Sequence, residues 1–225
     1  MNNIKLGKVT EEKDVGITVS NSLKPGKHCK ESVRRANAVL TQISKAFHYR
    51  DRFVFRKLYI TYVRPHLEYA APVWNPWLSC DIDLLEKVQQ RAVNMISGLQ
   101  ADTYEGKLAE LGLDTLKTRR TKLDLIQTFK ILKNIDNVSH SVWFKKCSDN
   151  FNRVTRISSY PDNLCRMKIS KTDIRQNFFS QRVINSWNAL PDDIKDLRTV
   201  KTFKEAINNH FNVQHDGGVT GRVPR

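Results

Sequence analysis

Apolar residues recurring at three- and four-residue steps run through most of this chain, and the places where that rhythm starts and stops mark its elements. Val33, Ala36, Leu40, Ile43 and Phe47 make the first such stripe, the spacing that gathers side chains on one face of a helix. Leu85, Val88, Ala92 and Ile96 make another, with Ser79 or Asp81 placed to accept its first amide hydrogens and Gly98 able to supply a left-handed stop. Tyr104 to Leu111 reads as a short helix ended by Gly112. Asp114 or Thr115 then caps a longer helix through Leu116, Leu123, Ile126, Phe129 and Leu132, leaving Arg119, Arg120 and Lys122 outside its stripe. Ahead of all these, Val15, Ile17 and Val19 alternate as the residues of one strand face do, before a turn at Asn21 to Gly26.

Between the first two stripes lies an aromatic helix running into prolines. Phe53, Phe55, Leu58, Ile60, Tyr62 and Val63 lead to Pro65, which lacks an amide hydrogen and crowds the preceding turn, so the helix is expected to stop near Arg64. Pro72 and Pro76 are expected to keep the following residues extended. From Asn134 to Lys171 the periodicity lapses, with RVTRISS and LCRMKIS as short strands around a turn at Pro161 and Asp162. Helical spacing returns with Phe179, Val183, Trp187 and Leu190, stopped by Pro191, and again with Val200, Phe203, Ile207 and Phe211. Two helices bury too little to stand alone, so they are expected to lean on the first half. The glycine-rich tail after Asn212 has no periodicity and is expected to be disordered.

The pattern predicts a mainly α protein. It has a short N-terminal β-hairpin (1–26), a helical bundle (27–135), an irregular joint with short strands (136–172), a small C-terminal helical unit (173–212) and a tail (213–225). Charge adds a partner class: 38 Lys and Arg against 23 Asp and Glu give +15 over 225 residues, a field that favours polyanions and nucleic acid first among them. The helical faces opposite the apolar stripes carry Lys30, Arg34, Arg35 and Lys45, then Arg52, Arg56, Lys57 and Arg64. No window approaches the roughly 18 uncharged apolar residues that span a bilayer, and MNNIKLGK has no signal-peptide core. Cys29, Cys80, Cys147 and Cys165 lie far apart without a C-x-x-C pair, which fits reduced thiols. A nuclear or cytoplasmic protein, not secreted and without membrane partners, is the expectation.

Several segments, in order, resemble one family. They are DVGITVSNSL (Asp14 to Leu23), VRPHLEYAAPVWNP (Val63 to Pro76), DIDLLEKVQQRAVNMISG (Asp81 to Gly98), LAELGL with LKTRRTKLDLI (between Tyr104 and Ile126), FFSQRVINSWNALP (Phe178 to Pro191) and TFKEAI (Thr202 to Ile207). Together they resemble the region downstream of the catalytic palm in reverse transcriptases of non-LTR retrotransposons, the jockey and chicken-repeat type of LINE element. Gly106, where a basic residue is expected, is a small departure. The resemblance implies the end of a palm followed by a thumb-like bundle and C-terminal region. In an intact parent with palm and fingers it implies RNA-directed DNA polymerase activity with magnesium.

Nucleotidyl transfer needs carboxylates holding two metal ions about 4 Å apart, and the family carries them in the palm, which this sequence is expected to follow. The adjacent Asp192 and Asp193 in LPDDIK read as acidic residues at the start of a helical turn. His140, Cys147 and Cys165 lack finger or knuckle spacing, and neither a nucleophile pattern nor a phosphate-binding glycine loop is present. No catalytic residue, metal site or cofactor of its own is therefore expected, and the chain alone is expected not to polymerise DNA.

What remains is a grip on the sugar-phosphate backbone of an RNA or DNA duplex, with Lys30, Arg34, Arg35, Arg52, Arg56, Arg119 and Arg120 as its candidates. Phe47, Phe53, Phe55, Tyr59 and Tyr62 are expected in the core, and Trp74 and Trp77 are the better placed to stack on a base if any ring does. The rival from another class is a co-opted basic helical protein that binds an acidic protein or RNA without any polymerase.

Overall fold

The N-terminal strands are set by the turn between them. Val15 and Gly16 both take positive φ (45° and 84°), the type I′ geometry that matches strand twist. They join β1 (Glu11–Asp14) to β2 (Ile17–Ser20) with Asp14 opposite Ile17. The alternation expected from Val15 through Val19 is therefore broken: Val15 projects from the turn, Ile17 is buried, and Val19 is exposed. The computed structural model describes residues 8–147, 163–166 and 172–216 of the chain. It is mainly helical, with this hairpin and a few short strands nearer the C-terminus. Among the described residues no helix is long and apolar enough to cross a membrane.

The chain divides into two units, Met1–Arg120 and Thr121–Arg225. In the first, α1 (Gly26–Ala46) buries His28, Cys29, Ser32, Ala36, Leu40 and Ile43, while Phe47, expected on the stripe, is exposed just past the helix end. The next helix does not stop at Arg64. Its first part, α2 (Arg52–Leu58), passes into a π-turn at Tyr59–Val63 and on into α3 (Arg64–Glu68). The wider π-turn, closed by the Arg64 N–H on the Tyr59 carbonyl, restarts the helix so that Pro65 occupies its first turn, where no amide donor is needed. Pro72 likewise opens a single turn, α4 (Ala71–Trp74), instead of enforcing extended chain, after Ala70 takes positive φ.

Two further helices, α5 (Ser79–Asn94) and α6 (Tyr104–Leu111), follow the expected stripes, α6 ending on Gly112 at φ 57°. No side chain caps α5, and Asp81 is buried. In contrast, Thr103 caps α6 and Thr115 accepts from the Thr118 N–H at the start of α7 (Leu116–Leu132). A buried network holds these starts to α5. The Tyr59 hydroxyl donates to Gln89 Oε1 (2.7 Å), Gln89 Nε2 donates to the Tyr104 oxygen (3.0 Å), and Glu86 accepts from the Tyr104 hydroxyl and the Leu116 N–H. Burial pushes both tyrosine hydroxyls above their ordinary pKa, so they remain donors.

In the second unit, Leu125, Phe129 and Ile131 of α7 pack with Phe144, Leu164, Phe179, Val183, Ile184, Trp187, Leu190, Ile194, Phe203 and Ile207. The structural division thus falls inside α7, not at residue 135, because the later turns of that helix complete the core of the C-terminal residues. Around it stand α8 (His140–Trp143), β3 (Lys145–Lys146) paired with β4 (Leu164–Cys165), α9 (Asp173–Gln176), α10 (Phe179–Asn188), α11 (Asp192–Lys195) and α12 (Val200–Asp216). The side chain of Asn188 clamps β4, accepting from the Leu164 N–H and donating to its carbonyl (2.9 and 3.0 Å). Arg182 forks onto Asp124 (2.9 and 2.8 Å). The strand expected at 153–159, the turn at Pro161 and Asp162, and the tail beyond 216 lie outside the described residues; α12 itself runs past Asn212.

Candidate nucleic-acid interface

On α1, 100° steps place Lys27, Lys30, Arg34 and Lys45 on the face opposite the buried one, and all four are exposed. Lys27 pairs with Glu11 of β1. Alongside runs α5, parallel to α1: Gly26 faces Asp81, where a Cβ would come within 3.1 Å of the carboxylate, and eleven residues on, Asn37 meets Arg91. Arg91 donates to Asn37 Oδ1 (3.0 Å) and Thr41 Oγ1 (3.4 Å), of which Asn37 lies beside Lys30 on the wheel and Thr41 between Lys30 and Arg34. Lys87, one turn earlier, shares the exposed face of α5 with Arg91. Lys30, Arg34, Lys45, Lys87 and Arg91 thus line one strip across two helices, with Asp83 the acid on the α5 side.

Of the seven expected contacts, Lys30 and Arg34 lie on this strip. Arg35, half-buried, turns toward Glu31 (3.4 Å). Arg52 is exposed on a different helix, its guanidinium 4.9 Å from the centre of the Phe53 ring. Arg56 donates to the carbonyls of Leu111 and Gly112, neutralising the C-terminus of α6. Arg119 grips both oxygens of Glu68. Arg120 is a correction: it is 1 % exposed, and its Nε donates to Asn75 Oδ1 (3.1 Å). The reason lies in α7, whose buried row Leu116, Arg120, Asp124 and Thr128 at four-residue steps holds three polar residues, so the apolar stripe alone misplaces that face. Lys122 is buried as well. Lys45, Lys87 and Arg91 were not among the seven, although the same periodicity that buries Leu85, Val88 and Ala92 points Lys87 and Arg91 outward.

The rings part company with expectation too. Phe55 and Tyr59 are buried, but Phe53 and Tyr62 are exposed, because the buried row runs Phe55, Tyr59, Val63, Leu67 through the π-turn. Trp74 is buried, its indole N–H on the Tyr69 carbonyl (2.7 Å) and its ring 4.8 Å from His28. Trp77 is half-buried.

Among the described residues no three His, Cys, Asp or Glu side chains gather as a metal site. Asp192 and Asp193 stand exposed in the first turn of α11, Asp192 accepting from Lys195 (3.1 Å). Burial pushes the Cys29 thiol up to about 12, which keeps it protonated and unreactive. Cys147 and Cys165, expected as free thiols, form a disulfide with Cα atoms 5.5 Å apart, since the β3–β4 pairing sets the two chain segments side by side. Compared with known proteins, the chain matches no family model, no curated protein and no solved structure.

Proposed function

We propose that this chain is the post-palm part of a non-LTR retrotransposon reverse transcriptase, and that its own activity is to hold the sugar-phosphate backbone of a nucleic-acid duplex. The ordered sequence landmarks support the family. The grip is carried by one observation, the exposed strip of Lys30, Arg34, Lys45, Lys87 and Arg91 on α1 and α5. Lys30 with Arg34 and Lys87 with Arg91 stand one helical turn apart, about 6 Å, and Lys45 about 16 Å beyond Arg34; cations at such spacings suit the repeating charge of a phosphate backbone, and such contacts position a strand without reading its sequence. Magnesium belongs to the parent polymerase's palm in this reading, and no catalytic step is assigned to the residues of this chain.

Salt titration tests the grip. Each neutralised phosphate on duplex DNA contributes about 0.9 to the fall of log affinity with log salt, so five cations give a slope near 4 to 5. Lys30→Ala and Arg34→Ala are each expected to lower that slope by about one. A slope that both variants leave unaltered removes the strip as the interface. Magnesium-dependent extension of a primed template by the purified chain would overturn the assignment to the post-palm region.

A further inference from the structure

Where α1 ends, the chain makes a turn whose aromatic residues face water although its backbone is fixed. Phe47, Tyr49 and Phe53 are exposed, Tyr49 by 83 % and Phe53 by 70 %, and between them stand His48, Arg50 and Arg52. The turn is anchored at three points. The Phe47 N–H donates to the Ile43 carbonyl, and the Arg50 carbonyl accepts from the Ser97 N–H (3.1 Å) while its guanidinium donates to Ser44 Oγ (3.3 Å). The Asp51 carboxylate accepts from the Phe53 and Val54 amides (2.9 and 3.0 Å). From Lys45 to Lys57 the chain carries five Lys or Arg residues, and its one acid, Asp51, is committed to that cap.

Rings held out in water forgo the stabilisation that burial supplies, about 25 cal/mol per Å² of apolar surface. Their polar neighbours here are cationic. This pairing of flat apolar faces with positive charge is complementary to unpaired nucleotides, whose bases stack on aromatic rings while their phosphates meet Lys and Arg. We propose that Tyr49 and Phe53 form a base-stacking platform for single-stranded nucleic acid at the end of the α1 strip, with Arg52 beside the Phe53 ring meeting the adjacent phosphate. The platform rests on the backbone grip proposed above and adds to it a ligand class, a strand that leaves the duplex at Lys45 and lays its unpaired bases on the turn.

Fluorescence anisotropy with the full chain at one salt concentration tests it, using single strands of about 12 nucleotides in DNA and RNA, a duplex of equal length, and an abasic strand of equal length. Tyr49→Ala and Phe53→Ala are each expected to weaken single-strand binding about tenfold while duplex binding is unchanged. Phe53→Tyr retains the flat ring and is expected to bind as the native chain does. The abasic strand is expected to bind the native chain as weakly as an intact strand binds the alanine variants. Weakening in the DNA arm, the RNA arm or both supports stacking and identifies the sugar preferred. Unchanged single-strand affinity in both alanine variants, or an abasic strand bound as tightly as an intact one, overturns the platform while leaving the duplex grip standing. Failure of the native chain to bind the duplex sinks the grip and the platform together.

Discussion

His28 shows how much one side chain carries at the seam between the hairpin and α1. Its Nδ1 accepts from the Thr18 N–H (3.2 Å) and its Nε2 lies 3.3 Å from Ser32 Oγ. Burial holds its pKa below the ordinary 6.5; Arg35 and Lys13 add to the depression and Glu31 opposes it. A proton on Nδ1 would set two donors face to face and break this one of the links between strand and helix. Because the imidazole takes its proton more readily unfolded than folded, its contribution is complete above 6.5 and is lost as pH falls from there through the folded value. Glu31, held below the usual carboxylate range by the Thr18 hydroxyl, remains ionised across that window. His28→Asn keeps an acceptor for Thr18 but cannot titrate. Between about pH 7 and pH 5 the urea midpoint of the native chain is expected to fall more than that of the variant, and parallel falls would refute the role.

Among the elements, α6 is the plainest case of a local rule obeyed. Thr103 caps its start, and Gly112 closes it in the left-handed conformation with Arg56 donating to the final carbonyls. A Cβ on Gly112 has room, meeting Arg56 only at 3.7 Å, so Gly112→Ala is expected to lower stability by about 1 kcal/mol, through backbone conformation alone. Equilibrium urea unfolding measures it, and a neutral result would mean that the turn relaxes. The proline helix behaves otherwise. Pro65 does stop the ordinary α-helical ladder, but the π-turn at Tyr59–Val63 absorbs the break and the chain continues helically to Glu68. The cost of a mid-helix proline depends on whether the preceding turn can widen, which no residue pattern announces.

At the scale of the whole molecule, a charge of +15 divides into cations that build the fold and cations left exposed to solvent. Arg56 and Arg119 serve the first role, holding the end of α6 and Glu68. Arg56→Ala and Arg119→Ala are expected to cost about 2 to 3 kcal/mol in urea unfolding and to leave the salt slope of duplex binding unchanged. Arg91→Ala is expected to show the reverse, a lower slope with stability nearly intact; a shared response in all three would erase the distinction. The sequence by itself determined the helical class, the stripes through Leu85 to Ile96 and Phe179 to Leu190, the Gly112 stop and the outward Lys30 and Arg34, because local periodicity and backbone preference act within a few residues. Only the tertiary structure decided that Arg120 is buried, that Phe53 and Tyr49 face water, that Cys147 meets Cys165 and that Arg91 joins Lys30 and Arg34. For Arg120, the cysteines and Arg91 the outcome depends on which distant residue supplies a partner: Asn75 for Arg120, the β3–β4 pairing for the cysteines, and Asn37 and Thr41 for Arg91. A cation's own neighbours in the chain do not say whether it will find a carboxylate, a carbonyl or only solvent.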